Sequence, residues 1–383
     1  MNLSTTRRYD LDWLRVILFG ILVPYHALIG FVSYGHTVYG YRNQDVGGDL
    51  AEFTVFAFHA WRLSALFLIS GVGTYFLMRN KGVGAFVQNR TLRLLLPLLI
   101  GAVFWNAVTS YYQVTANGED WTFPAYFWHR LQNLTLRSQG HLWFLVNLFL
   151  YSILSIPLML WLLRSSAMAR TLIPILAIAA ILIGALIIKP YDTTLYRLRW
   201  TAPIYWAYYI LGFWLMTLPT SAWGQLARLK WPALVCAILT LASLGAILAS
   251  FGQNTDAMNM TINGGWAQNG GSIFTLSTTG YSLLYALNTA LWCSAIFAFG
   301  YTFLNRNAAV LPSLNRAVYP FYIFHFPVLM IGLFYLRFVS WPWGIEFLIL
   351  AIGTFAVTGI IVWLCDQLPF MRPLVGLSRR KPT

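Results

Sequence analysis

The sequence predicts an all-α, polytopic membrane helix bundle of about ten transmembrane helices. Three observations lead there. Hydrophobic residues fill 58% of the 383 positions and charged residues only 9%, against about 25% charged in a soluble domain. The mean hydropathy is +0.64. Apolar runs of roughly 18 residues or more, enough to cross a ~30 Å hydrocarbon core, recur along the whole chain. With no internal repeat and no stretch of soluble composition, residues 1–383 read as a single integral membrane domain.

The runs follow in order. The first, 11–34, opens behind Asp10 and carries Arg15 and His26; it is too long for a cleavable signal and lacks a small-residue cleavage site. The second, 53–78, stops before Arg79 and holds His59 and Arg62. The third, 91–112, is entered at Arg90 and Arg93. The fourth, 141–163, begins at His141 and ends before Arg164. The fifth and sixth, 171–188 and 200–218, are separated by the loop 189–199. The seventh, 232–251, follows Arg228 and Lys230. The last three are 280–304, 318–339 and 343–364, with His325 in the middle one. The outer loop 113–140 contains Trp121, Phe123, Trp128 and His129, a composition expected to give a short interfacial helix. The loop 252–279 is rich in Gly and Asn and reads as a solvated connection.

Orientation follows from the basic residues. Sixteen of the 25 Lys and Arg residues fall on one side of this threading and seven on the other, with Arg15 and Arg62 inside helices. Basic residues collect on cytoplasmic loops, so both termini are expected in the cytoplasm. The same rule accounts for the net charge of +14, and no nucleic-acid partner is expected. Cys236, Cys293 and Cys365 all lie in apolar segments, in a spacing that suggests neither a disulfide framework nor a metal site.

The informative residues are those that a bilayer should exclude, because a mid-membrane charge costs at least ~2.5–3.5 kcal/mol. Arg15 sits near the cytoplasmic entrance of its helix, and His26, eleven residues on, lies ~16 Å deeper at 1.5 Å per residue. Arg90 and Arg93, three apart, share one face of a helix entrance. His325 is placed about two turns into the ninth helix. His59 and Arg62 fall in the outer half of the second, and His141 at the outer mouth of the fourth. Guanidinium pairs bidentately with phosphate, so Arg15, Arg90 and Arg93 suit a cytoplasmic anionic donor. An imidazole suits proton abstraction from a hydroxyl, because its ordinary pKa lies near 6.5. A phosphorylated donor held inside, with its reacting end reaching His26, describes an acyl thioester of coenzyme A. No nucleophile motif of the GxSxG type appears at that depth, which favours direct attack.

The arrangement resembles a known family. The Arg-x10-His of Arg15 and His26, FLISGVGTYF (67–76), RTLRLLLP (90–97) and YPFYIFHFPV (319–328) are similar, in this order, to the motifs of the acyltransferase family 3 integral membrane proteins. Within it, HAWRLSALFLISG (59–71) and GHLWFL (140–145) look closest to the glucan biosynthesis protein C group, which is associated with glucan succinylation. The resemblance implies a multi-pass protein of the bacterial inner membrane that moves an acetyl or succinyl group from cytoplasmic acyl-CoA, a co-substrate rather than a tightly bound cofactor, to a hydroxyl of an extracytoplasmic glycan. It implies His26 as catalytic base, with His325 and His141 as further catalytic candidates. Arg15, Arg90 and Arg93 would hold the donor, and His59, Arg62, Ser70 and Tyr322 the substrate side. Arg62 is the candidate cation for a succinyl group. The competing reading is a transporter or flippase for an acylated or anionic solute, with the intramembrane Arg and His residues lining its path. The acyl group, the glycan and the oligomeric state stay open at this point.

Overall fold

A computed structural model of the chain describes residues 7–188, 202–250 and 276–377. Every regular element among them is helical. Among the described residues, seven helices are long and apolar enough to cross a membrane: Tyr9–Ile29, Gly48–Asn80, Gly82–Ala116, Lys230–Ser250, Gly280–Phe303, Leu311–Leu336 and Trp343–Gln367. The pair Gln139–Leu154 and Ile156–Arg164, bent by 52°, makes an eighth if counted as one span. Two shorter apolar helices, Leu172–Ile181 and Ile204–Leu215, stand where the fifth and sixth runs were expected. A short helix, Phe123–Gln132, forms in the loop where an interfacial helix was expected. The loop basic residues Lys189, Arg197 and Arg199, and most of the Gly/Asn-rich stretch 252–279, lie outside the described residues.

Prolines explain the breaks. Pro24 has no N–H for the carbonyl of Gly20, four residues earlier, and the first helix breaks at Ile21, between Tyr9–Gly20 and Leu22–Ile29. Pro157 stands likewise just after the break at Ser155. Ahead of Pro97, the helix widens into a π-helical turn at Thr91–Leu95, and a second such turn follows at Gly101–Trp105. The turn at Gly82 has φ +71°, a left-handed conformation that favours glycine, and separates the helices on either side of it.

The start of the ninth helix corrects the sequence reading. The ninth helix begins at Leu311 rather than 318, with Pro312 in its first turn. His325 is therefore fourteen residues along it, ~21 Å at 1.5 Å per residue, and not two turns. Arg316, counted with the loops, lies inside the same helix.

The chain divides into two compact units. The first comprises 1–14, 59–83 and 151–307. Its tightest packing joins Gly71 to Gly212: a Cβ on Gly71 would run into the Tyr209 carbonyl oxygen, and one on Gly212 into that of Leu68. Such small-residue contact is how membrane helices approach closely without a hydrophobic driving force. The Tyr209 hydroxyl, in a fully buried side chain, donates to Thr74 Oγ1 at 2.9 Å alongside. Because backbone cannot yield as a side chain would, Gly71→Ala or Gly212→Ala is expected to cost about 3 kcal/mol. A fall in the thermal unfolding midpoint in detergent checks this, and an unchanged midpoint refutes it.

The second unit comprises 15–58, 84–150 and 308–383. Its main apolar core joins Leu28, Phe31 and Val32 to Leu329, Met330 and Leu333, with Leu350 and Ala351 behind them. The loop after the first helix is pinned to the last: Asn43 donates to the fully buried Glu346 carboxylate, and Trp343 N–H donates to Asp45 at 2.8 Å.

Candidate active site

Six of the sequence-predicted residues, joined by His26, fall within this second unit: Arg15, Arg90, Arg93, His141, Tyr322 and His325. His26 sits on the short helix beyond the Ile21 break. Its backbone is held from outside, because the Tyr39 hydroxyl donates to the His26 carbonyl at 2.9 Å. Gln113 in turn donates to the Tyr39 carbonyl at 2.9 Å.

The imidazoles meet across the unit. His26 Nδ1 lies 3.0 Å from His325 Nε2, with the two rings only 10° apart in plane. His325 is 1% exposed, and its Nδ1 lies 2.7 Å from the carbonyl oxygen of Tyr322. A carbonyl only accepts, so His325 Nδ1 carries the hydrogen and, in the neutral ring, Nε2 accepts. His26 Nδ1 must then be the donor, which leaves the basic lone pair of His26 on Nε2. The tautomers are assigned from this network.

His141 is fixed by a related device. Pro327 has no N–H, so the carbonyl of Ile323, four residues earlier, has no helical partner. His141 Nε2 donates to that oxygen at 3.2 Å. Gly140, at φ +51°, makes the turn that delivers the ring, and Asn106 donates to the neighbouring Gln139 carbonyl. The Tyr322 hydroxyl donates to the His141 carbonyl at 2.6 Å. Phe326 stacks on His141 at 4.8 Å and meets His26 edge-on at 5.5 Å. Pro327→Ala would return a competing N–H to the Ile323 carbonyl. A fall in kcat of about tenfold is expected, the worth of one neutral hydrogen bond. The fall should vanish in a His141→Ala background; additive losses would show that Pro327 does not act through His141.

The basic group lies at the other end. Arg15 and Arg93 are exposed, and half-buried Arg90 stands over the Phe86 ring at 5.2 Å. All three guanidiniums are within electrostatic reach of the Tyr319 hydroxyl, which is buried without a hydrogen-bond partner. Arg316, also close to Arg93, is bound by both carboxylate oxygens of Asp366, and Arg372 pairs with the same carboxylate at 3.4 Å. Tyr319, Tyr322 and His325 follow one another at intervals of three along a single helix, so the basic and imidazole ends are ~9 Å apart along its axis. Outside the spans, Arg130 donates to the Ala102 carbonyl in the second π-helical turn at 3.0 Å, and burial lowers its pKa from the ordinary value.

The remaining expected residues belong to the first unit. His59 lines a small cavity of 40 Å³ with Ser64, Tyr205, Tyr208, Tyr285 and Thr289. Arg62 is buried, at 3% exposure. The Ser70 hydroxyl donates to the Leu66 carbonyl of its own helix at 2.7 Å. Sequence reasoning passed over Tyr319, although it opens the same motif as Tyr322 and His325. It passed over Asn147 too, a carboxamide in the apolar run WFLVNLFLYSIL. Among the described residues, no group of three or more His, Cys, Asp and Glu side chains is placed to hold a metal ion.

A multi-pass helical membrane protein with a paired-imidazole centre at one end of a helix face and a guanidinium cluster at the other is the class that fold and site define. Residues 8–363 match the family described as an acyltransferase domain, acyltransferase family 3. The chain belongs to that family and is a membrane acyltransferase. Comparison with curated proteins and with solved structures gave no match.

Proposed function

We propose that the protein is an acyl-CoA-dependent O-acyltransferase of the bacterial inner membrane, with both termini in the cytoplasm and an extracytoplasmic carbohydrate as acceptor. The observation that carries this reading is the chain from His26 Nδ1 through His325 to the Tyr322 carbonyl. It leaves His26 Nε2 as a base of fixed direction, which is what activation of a hydroxyl requires. Arg15, Arg90 and Arg93 take the phosphates of the donor, and the thioester reaches the imidazole end.

The step is a direct transfer. The acceptor hydroxyl oxygen attacks the thioester carbonyl carbon while its proton passes to His26 Nε2. The positive charge on His26 is steadied by its Nδ1–H bond to His325. Collapse of the tetrahedral adduct breaks the C–S bond, and the thiolate leaves as coenzyme A, taking the proton back from His26. An ester of the carbohydrate results. The likeness of residues 59–71 and 140–145 to the glucan biosynthesis protein C group supports succinyl as the group moved.

Membranes containing the protein, supplied with labelled acetyl-CoA or succinyl-CoA and periplasmic glycan, are expected to esterify the glycan. Movement of the glycan or of an anionic solute across the membrane with no consumption of either donor would support a transporter instead.

A further inference from the structure

Within the second unit, the loop after the first helix and the loop before the last form a cleft that the steps above do not use. Gln44, Asp45, Val339, Ser340, Trp341 and Pro342 line it, and its volume is about 370 Å³, in the range of small-molecule sites. Both walls are fixed. Asn43 N–H donates to the Gly30 carbonyl at 2.9 Å, and Gly47 N–H to that of Phe31 at 2.8 Å. Across the cleft, Trp341 N–H donates to Glu346 Oε1 at 2.9 Å, while Asn43 donates to Oε2 of the same carboxylate. Burying a carboxylate is costly unless it is hydrogen-bonded, and both oxygens of Glu346 serve the walls of this cleft.

The groups left open on those walls are of one kind. The backbone N–H groups of Asp45, Trp341 and Trp343 are bound to Asn43 Oδ1, Glu346 and Asp45, so an extended peptide would find them already taken. The side chains are free. Trp341 is 52% exposed. Among the described residues, the Gln44 carboxamide, the Ser340 hydroxyl and Asp45 Oδ1 have no hydrogen-bond partner in the chain. The face of an indole is electrically negative and attracts groups of opposite sign, such as the C–H bonds on one side of a pyranose ring. Carboxylate only accepts, whereas carboxamide and hydroxyl both donate and accept, as the hydroxyls around a sugar do. An anion would meet the charge of Asp45. A cation would meet one free carboxylate oxygen, with Arg42 and Arg337 close by in the chain.

We infer, on the reading above of a carbohydrate acceptor, that this cleft binds a sugar unit of the acceptor other than the one that reacts. Gly30, where one wall is tied down, lies four residues and ~6 Å past His26. Leu336, ahead of the other wall, lies eleven residues and ~17 Å past His325. The cleft is therefore further along both helices than the imidazole pair, on the side that the proposed orientation turns outward. A hydroxyl at His26 and a ring on Trp341 belong to different units of one chain. The acceptor is an oligosaccharide rather than a single sugar.

The experiment uses the full-length protein in lipid vesicles. Binding of a labelled linear glucan oligosaccharide is measured without donor, and acyl transfer is then measured to that oligosaccharide and to glucose. Wild type is expected to bind the oligosaccharide and to show a lower KM for it than for glucose. Trp341→Ala should weaken binding about tenfold and remove the KM advantage of the oligosaccharide; Trp341→Phe should regain part of both. Asp45→Asn keeps an oxygen for Trp343 N–H but loses the charge, and should weaken binding about tenfold as well. Trp363→Ala removes an indole that is 60% exposed on the last helix and should bind as wild type does. Its equal loss would show that exposed tryptophans act here only as anchors in the lipid interface, which overturns the proposal. Wild type that does not bind the oligosaccharide, or Trp341→Ala that binds it equally well, also overturns it. Choline or tetra-alanine bound at Trp341 in place of the oligosaccharide would overturn it in favour of a cation or a peptide. Wild type that binds the oligosaccharide through Trp341, yet transfers to it from neither acetyl-CoA nor succinyl-CoA, would instead bring down the reading of the function and leave the sugar site standing.

Discussion

His26→Ala is expected to lower kcat for acyl transfer by about 10²- to 10⁴-fold, the usual worth of a positioned general base, while the KM for acyl-CoA stays within a few-fold. The reason is the direction of its lone pair. With Nδ1 donating to His325 at 3.0 Å, the lone pair of the His26 ring lies on Nε2. His325→Ala removes the acceptor that sets this tautomer and should cost about one to two orders of magnitude in kcat. His325→Gln keeps an oxygen able to accept from His26 Nδ1 and should recover part of that loss. Steady-state kinetics in vesicles with a labelled donor separates these variants. Undiminished transfer by His26→Ala would falsify the assigned base.

Arg90→Ala combined with Arg93→Ala is expected to act on the other constant. Each charge-assisted hydrogen bond to a phosphate contributes about 1.5–3 kcal/mol, so losing two should raise the KM for acyl-CoA by about a hundredfold or more. kcat at saturation should change little, because the proposed transfer puts the reacting atoms at the far end of the helix face. A thioester that lacks phosphates should not register the change. If the double variant instead inverts the orientation of the protein, as protease accessibility from each face would show, with the KM unchanged, then the two arginines serve topology alone.

Much of this architecture is written in the apolar runs. Helices such as Trp343–Gln367 and Lys230–Ser250 lie within a few residues of their expected bounds, because a bilayer-length run of Leu, Ile, Ala and Val has few alternatives. Polar helix starts are harder to read. Ser313, Asn315 and Arg316 look like loop residues, yet Leu311–Pro312 begins the helix and Asp366 neutralises Arg316 within it. Missing that start displaced His325 by about two turns. Its pairing with His26, 299 positions away in sequence, depends on how helices pack and is invisible to spacing. His141 was grouped with His59 and Arg62 by estimated depth, but its hydrogen bond is to Ile323 and its ring stacks on Phe326. The Arg15–His26 interval was legible as a distance, but not the His325 ring that His26 Nδ1 meets at 3.0 Å.

The device at Pro327 has an evolutionary side. The Ile323 carbonyl is available to His141 only because a hydrogen is missing from the backbone two residues beyond His325. Every other encoded amino acid restores that hydrogen, whatever its side chain. The position thus has no conservative replacement, and no gradual path leads away from it through similar residues. A lineage that keeps this orientation of His141 must keep proline there, and one that loses the proline must find another acceptor for the ring or abandon the histidine.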